Sequence, residues 1–547
     1  ISEKEQIWKQ LLQFYVLKNL PAGAGDHPAS SVPDLETEKK AREKVAAWYA
    51  HYFEQSIDDK FYAYINCITL QTDPHSNYTG PGQMDKMKQA LTGQYFGVGM
   101  ELATQVPDIF IKRLIPGGSA IKSGLLKEND RILSVSDKSG KMVSSAGVNV
   151  NDIADLIRGP KGSSVRLIVQ QPGEAERTVT IMRDEIRGNG NKAKSAIIRE
   201  NGKKIGYVYL PLFYIGNKEK GIAGAGADIA REVAKLRENE VEGIVMDLRG
   251  NPGGSLLEAV IMSSLFMNGG PVSILRSRDT VNVYKAPEVA ERQFNGPLVV
   301  MVDESSASAS EIFSAAIQDR SRGLVIGTAT SFGKGTAQTS QSMGKMGDPE
   351  KGIPDMNFGS INLTLQKFYR INGASTQLKG VIPDIVLLNT MNPEKIREKD
   401  YPSALPWDTL AVNDYKKPSF NFNYPVVTGL AKKRVSSNAA LLSLKELLSR
   451  IDNLRRLPVP LGIAEYCSYQ QQLNALNQQL AETIKLKPGN SLTIEPSILN
   501  SINPELQNQD EPGAEVYAKW LQDLKKDLFL SEAVRVIQDM IANPIKE

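Results

Sequence analysis

LVVMVDESSASASEIFSAAIQD, residues 298–319, decides how this chain is read. Five apolar residues form a run of strand length, and Asp303-Glu304 ends it. Six small residues follow, then IFSAAIQD returns its apolar residues at helical spacing. The same strand-to-helix change recurs on both sides. IGYVYL (205–210), GIVMDL (243–248) and LVIGT (324–328) read as strands, alternating with helical stretches at 224–239, 254–268 and 308–320. That βαβ order predicts an α/β layered unit over 187–388.

Beyond it the pattern changes twice. Residues 93–186 read as short strands (FGVGMEL, IFIKRLI, RILSV, SVRLIVQ, RTVTIMR) between Pro-Gly, Gly-Gly and Asn-Asp punctuation. One helical stretch, 150–159, interrupts them, so a small β-rich, barrel-like module is expected there. Residues 1–92 read as helical, from Ile7, Leu11, Phe14 and Tyr15 and from a face of Val45, Trp48, Tyr49 and Tyr52 within 35–53. The loop TDPHSNYTGPG (72–82) breaks that pattern. Residues 389–547 turn helical again at 439–452, 463–485 and 514–543.

Composition narrows the function. The 547 residues are 41% apolar and 23% charged, an ordinary balance for globular domains, and the net charge is +3. Such a balance argues against a nucleic-acid binder. Two cysteines 400 positions apart, Cys67 and Cys467, exclude a four-cysteine zinc site and a disulfide framework. The three histidines, His27, His51 and His75, all lie early, with no HExxH pair. The chain begins at Ile1 without a signal peptide and is read as a processed or trimmed form.

Serine chemistry late in the chain therefore needs a base other than histidine. Ser308 and Glu311 match an S-x-x-E capping box, the commonplace explanation of such a sequence. The same position, between a strand end and a helix start, lies near N–H groups without helical partners, where an acyl-transfer oxyanion can be stabilised. Lys334, in SFGKGTAQ (331–338), is either a surface lysine in a glycine-rich turn or the base, with Gln338 orienting its amine. As a base its pKa must fall from about 10.4 to near 7, on the order of 4–5 kcal/mol, by burial. In DLRGNPGG (247–254), Gly253 or Gly254 could offer an N–H beside that of Ala309. No GK[ST] follows, so a phosphate loop is excluded, and Gly224-Ala225-Gly226 lacks the remainder of a dinucleotide fingerprint.

Taken together, SASASEIF, GIVMDLRGNPGG and FGKGTAQ, with DPHSNY (73–78) and FGVGMEL, resemble the carboxyl-terminal processing or tail-specific proteases, serine peptidases with a Ser-Lys dyad. The resemblance runs from about residue 70 to 388. KFYRINGASTQLKGVIPDI (367–385) and ALPWDTL (404–410) resemble the longer periplasmic subgroup, which has helical domains at both ends. It implies a crotonase-like layered α/β core with an inserted PDZ domain. Ser308 then matches the nucleophile, Lys334 the base, Gln338 its positioner, and Ala309 with Gly253 or Gly254 the oxyanion hole. Gly97-Val98-Gly99-Met100 matches the PDZ carboxylate-binding loop, opposite a helix at 150–158. One departure is a serine–lysine spacing of 26, one residue longer than usual, which the turn at 328–331 absorbs. The resemblance further implies protein substrates with apolar C-terminal tails, an adaptor or self-association through the helical ends, a periplasmic location, and no metal, cofactor or nucleic acid. The rival reading is a non-catalytic PDZ scaffold or ligand-binding protein on the same core.

Overall fold

The computed structural model describes residues 3–18, most of 38–46, 57–81, 95–388, 396–497 and 511–545, apart from short internal stretches such as 187–191 and 218–221. The helix expected over 35–53 lies mostly outside the described residues. At its centre is a seven-stranded sheet. Its order is Ile385–Leu388, Leu324–Thr328, Leu298–Val302, Gly243–Asp247, Lys203–Tyr209, Lys194–Glu200 and Thr493–Pro496. The five strands from Lys203–Tyr209 to Ile385–Leu388 pair in parallel; the last two in the order add antiparallel.

LVVMV is continuously apolar because both faces of its strand are covered, as in buried parallel sheets generally. Val300 and Val302 join a core with Ile229, Val233, Met262, Phe313 and Ile317, from the helices Ala225–Glu238, Leu256–Ser264 and Ala309–Asp319. Val299 and Met301 face the opposite way, onto Val427, Val534 and Ile537 of Tyr424–Ser437 and Leu528–Ala542. The stretch read as helical over 514–543 is two helices, Glu511–Leu524 and Leu528–Ala542. Asp527 separates them, its carboxylate accepting from the Leu530 N–H as an N-cap.

A second sheet orders Asn77–Thr79, Ser360–Tyr369, Pro271–Arg276 and Val281–Lys285, with Thr336–Ser342 also paired to Ser360–Tyr369. Between 95 and 186 lies a six-stranded antiparallel sheet around a core that includes Val98, Ile111, Ile153 and Val165. A two-stranded ribbon, Tyr95–Gly97 with Asp184–Ile186, joins its two ends. Among the described residues, no helix is long and apolar enough to cross a membrane.

Candidate active site

Three neighbouring strands of the seven-stranded sheet deliver the site. After Gly243–Asp247 comes the DLRGNPGG turn, after Leu298–Val302 the serine turn, and after Leu324–Thr328 the lysine loop. All three leave from C-terminal strand ends, where ligands of α/β sheets bind. Backbone and side-chain hydrogen bonds stitch the first two turns together. Asn251 accepts at its carbonyl from the Ala307 N–H at 3.0 Å and the Ser310 hydroxyl at 3.0 Å, and the Ser306 hydroxyl donates to the Leu248 carbonyl at 2.8 Å.

Those bonds distinguish the serines. Ser306 and Ser310 are fully buried and their hydroxyls are committed to backbone carbonyls. Ser308 is partly exposed and heads the helix Ala309–Asp319 with φ 55° and ψ −112°, a left-handed conformation uncommon outside glycine. Such strain persists only where the surroundings enforce it. Gly253 lies directly against this turn: a Cβ on it would come within 2.7 Å of the Ala307 carbonyl oxygen and of Ser308 Cβ, at φ +103°. Its own N–H donates to Asn251 Oδ1 at 2.9 Å.

Glu311 is where the commonplace and the functional explanations meet. Its buried Oε2 accepts from the Ser308 N–H at 2.8 Å, which is the capping interaction, and also from the Lys334 N–H at 3.0 Å. Oε1 accepts from Ser331 Oγ at 2.6 Å and the Gly333 N–H at 2.7 Å. One carboxylate thus holds the serine and lysine backbones side by side. Burial pushes its pKa up to about 7, against those four hydrogen bonds. A capping-box signature pointed to Glu311, but only as a helix start.

The Lys334 amine donates to Gln338 Oε1 at 2.5 Å. Burial lowers its pKa from the ordinary lysine value, opposed by the charges of Glu398, Asp73 and Glu311. No hydrogen bond joins this amine to Ser308 Oγ in this structure. Gln338 Nε2 donates to Thr364 Oγ1 at 2.8 Å and Thr336 Oγ1 at 3.0 Å.

The other expected cluster stands in the 95–186 module. Val98 is in its core, Gly99 has φ +79°, and the helix Val150–Ile157 faces the strand Met100–Gln105. Partly exposed Met100, Leu102, Val150 and Leu156 border that core.

Comparison with known proteins shows the family of the chain. Residues 204–387 match peptidase family S41, 84–170 match the PDZ domain, and 391–542 match the C-terminal domain of tail specific protease. The chain is 32% identical over 338 residues to a carboxy-terminal-processing protease of Bartonella bacilliformis, covering 61% of this chain and 71% of that one. This chain belongs to the S41 carboxy-terminal processing proteases. It is also 35% identical over 410 residues to a tail-specific protease of Haemophilus influenzae, over 74% of this chain but 57% of that one. It therefore spans a little over half of that relative's length. Among solved structures, a photosystem II D1 C-terminal processing protease aligns at 22% identity over 71% of this chain and 94% of its own, with a TM-score of 0.35. The PDZ domain of a Vibrio cholerae carboxy-terminal protease, in complex with peptide, aligns at 38% identity over 17% of this chain and 98% of its own, with a TM-score of 0.17.

Within this S41 chain, sequence reasoning passed over the role of the segment 73–79. DPHSNY served as a family motif with no function attached, yet it brings Asp73 near enough for its charge to act on the lysine, and His75 to Glu398. His75 Nε2 lies 2.6 Å from Glu398 Oε2, and Glu398 Oε1 accepts from Gln377 Nε2 at 2.8 Å. Asp73, His75 and Glu398 each offer a potential metal-ligand atom, all within 4.8 Å of one another. The His75–Glu398 and Glu398–Gln377 bonds already occupy much of that donor set.

Proposed function

We propose that this chain is a serine endopeptidase that captures the C-terminal tail of a protein substrate and cleaves the chain behind it with a Ser308–Lys334 dyad. The observation that carries the reading is Glu311 Oε2, shared by the Ser308 and Lys334 N–H groups beside a desolvated amine. In its neutral form the Lys334 amine takes the Ser308 hydroxyl proton as the oxygen attacks the scissile carbonyl. The protonated amine then returns that proton to the leaving nitrogen, and water, activated by the same amine, releases the acyl-enzyme.

The oxyanion is assigned to the Ala309 N–H, an unpaired donor of the helix's first turn, and to one glycine of the 253–254 pair. With the Gly253 N–H committed to Asn251, Gly254 is the favoured donor and Gly253 the residue that permits close approach. Catalytic hydrogen bonds often tighten only once substrate is bound, so the amine, with an N–H still donated to Gln338 Oε1, must bring its lone pair to the Ser308 hydroxyl in the productive complex. Gly97-Val98-Gly99-Met100 is assigned the tail carboxylate, with the tail added as a strand opposite Val150–Ile157; the apolar residues bordering that groove favour an apolar tail.

The reading extends to organisation. It divides the chain into a helical unit at 1–92, a PDZ domain at 93–186, a crotonase-like layered core at 187–388 and a largely helical unit at 389–547. The matched intervals support the second to fourth of these. The helical ends are assigned to adaptor contacts or self-association, and the protein to the periplasm, where osmotic-shock fractionation would test it. The mechanism gives no role to a metal or organic cofactor.

The deciding experiment is Lys334→Ala, with Ser308→Ala beside it, on an unfolded protein bearing an apolar tail. Both variants should fold and lose cleavage by two orders of magnitude or more. Near-normal turnover in Lys334→Ala would refute the base assignment. Cleavage should also be insensitive to EDTA; a large loss would return attention to Asp73, His75 and Glu398.

A further inference from the structure

We propose that Asp73 is a positioning residue for Lys334, acting through Thr364 and Gln338; the inference rests on the Ser308–Lys334 reading above. The argument begins with Gln338. An amide has two ends of nearly the same shape and opposite hydrogen-bonding character. With its oxygen toward Lys334, as here, it accepts a hydrogen from the amine. Reversed, its NH2 would donate into the nitrogen lone pair, the electrons that must take the Ser308 proton. The orientation of Gln338 therefore decides whether the base is available.

Hydroxyl neighbours alone cannot fix that orientation, because a hydroxyl serves as donor or acceptor. Thr364 is different. Its single hydrogen is committed to Asp73 Oδ2, so toward Gln338 it can only accept. The amide end 2.8 Å from Thr364 Oγ1 must then be the NH2, which turns the oxygen to the lysine. The polarity of the chain is set at its far end by a group that accepts only.

Asp73 is built for this task. It is 2% exposed, and its Oδ2 also accepts from the His75 N–H and the Ser76 hydroxyl, each at 3.3 Å. Ser76 Oγ in turn accepts the Thr364 N–H at 3.1 Å. Sheet register explains the meeting. Ser360–Tyr369 pairs with Asn77–Thr79 along part of its length and with Thr336–Ser342 along more of it, and Gln338 stands opposite Thr364. The charge of Asp73 works against a neutral Lys334, so tuning basicity does not explain its presence, whereas orientation does.

The test uses the full chain and steady-state cleavage of a protein with an apolar tail. Thr364→Val and Asp73→Ala should each lower kcat about tenfold or more with KM unchanged, because the hydrogen bonds of the relay involve none of the residues assigned to tail capture. Thr364→Ser keeps the hydroxyl and should restore kcat to within about threefold of wild type. The double variant should be no slower than the slower single one, as expected for residues acting in one path. Wild-type kcat in Thr364→Val, equal impairment in Thr364→Ser, or losses that multiply in the double variant would each overturn the proposal. Should Asp73→Ala fail to fold, the Thr364 pair carries the test by itself. Ser308→Ala and Lys334→Ala run alongside; turnover surviving in either would bring down the dyad instead, independently of the relay.

Discussion

Glu311 and Lys334 are two buried ionisable groups whose environments press in the same direction, toward the neutral form. For Lys334 the folded protein gives up its proton at lower pH than the unfolded chain, whose amine titrates near 10.5. Folding is therefore penalised as pH falls from 10.5 through the depressed value. The kcat/KM profile should rise with pH along a limb below that of an ordinary lysine, a limb at 10 or above being inconsistent with a dry amine. Glu311 has the opposite sign. Its pKa is raised from 4.5 to about 7, so its contribution to stability is present below 4.5 and is lost as pH rises through 7. Glu311→Gln should remove that dependence, seen as a flatter melting-temperature profile over this range. It also turns an NH2 toward two of the four donors Glu311 accepts. The expected loss is on the order of 1–3 kcal/mol for each donor left unpaired, together with a fall in kcat.

The turns at the strand ends place tighter demands on shape than on charge. Gly253 has φ +103° and backbone of the serine turn within 2.7 Å of where a Cβ would lie. Gly253→Ala should therefore displace Ser308 and cut kcat by roughly a hundredfold, comparable to loss of an oxyanion donor. Binding of a free apolar peptide to the PDZ module, measured by fluorescence anisotropy, should not change; a weakened peptide affinity would mean the effect spreads beyond the turn. The segment Asn77–Thr79 is short, yet its pairing with Ser360–Tyr369 holds Asp73 beside Thr364. A strand of three residues thus contributes to the site through what precedes it.

Residues far apart in the chain complete the core. Thr493–Pro496 forms the edge of the seven-stranded sheet, and Leu528–Ala542 covers one face of it with Val534, Val536 and Ile537, all fully buried. Arg249, in the turn beside the candidate site, bonds both Asp247 and Asp527, linking that turn to the C-terminal helices. Truncation after residue 388 would expose Val245, Val299, Met301 and Ile326 to water. Exposed apolar area of that size drives association, so the truncated chain should be insoluble or aggregated in size-exclusion chromatography. A soluble monomer with a cooperative melt would show instead that the sheet is self-sufficient.

Periodicity and punctuation made the architecture legible from the letters. Short apolar runs announced strands, alternation with helical stretches announced the α/β layer, and SASASEIF, FGKGTAQ and DLRGNPGG stood where strands end. The helical spacing read over 514–543 did not show that two helices share it, because the 3.6-residue period does not register the short break that the Asp527 cap marks. The strand Thr493–Pro496 went unread because an edge strand of four residues has no period to detect. The sharing of Glu311 between serine and lysine, the commitment of Ser306 and Ser310 to carbonyls, and the arrival of Asp73 beside Thr364 were out of reach for a different reason. Each is a contact between segments tens to hundreds of residues apart, and which hydrogen a hydroxyl gives, or which way an amide turns, is settled only by the neighbours that folding brings to it.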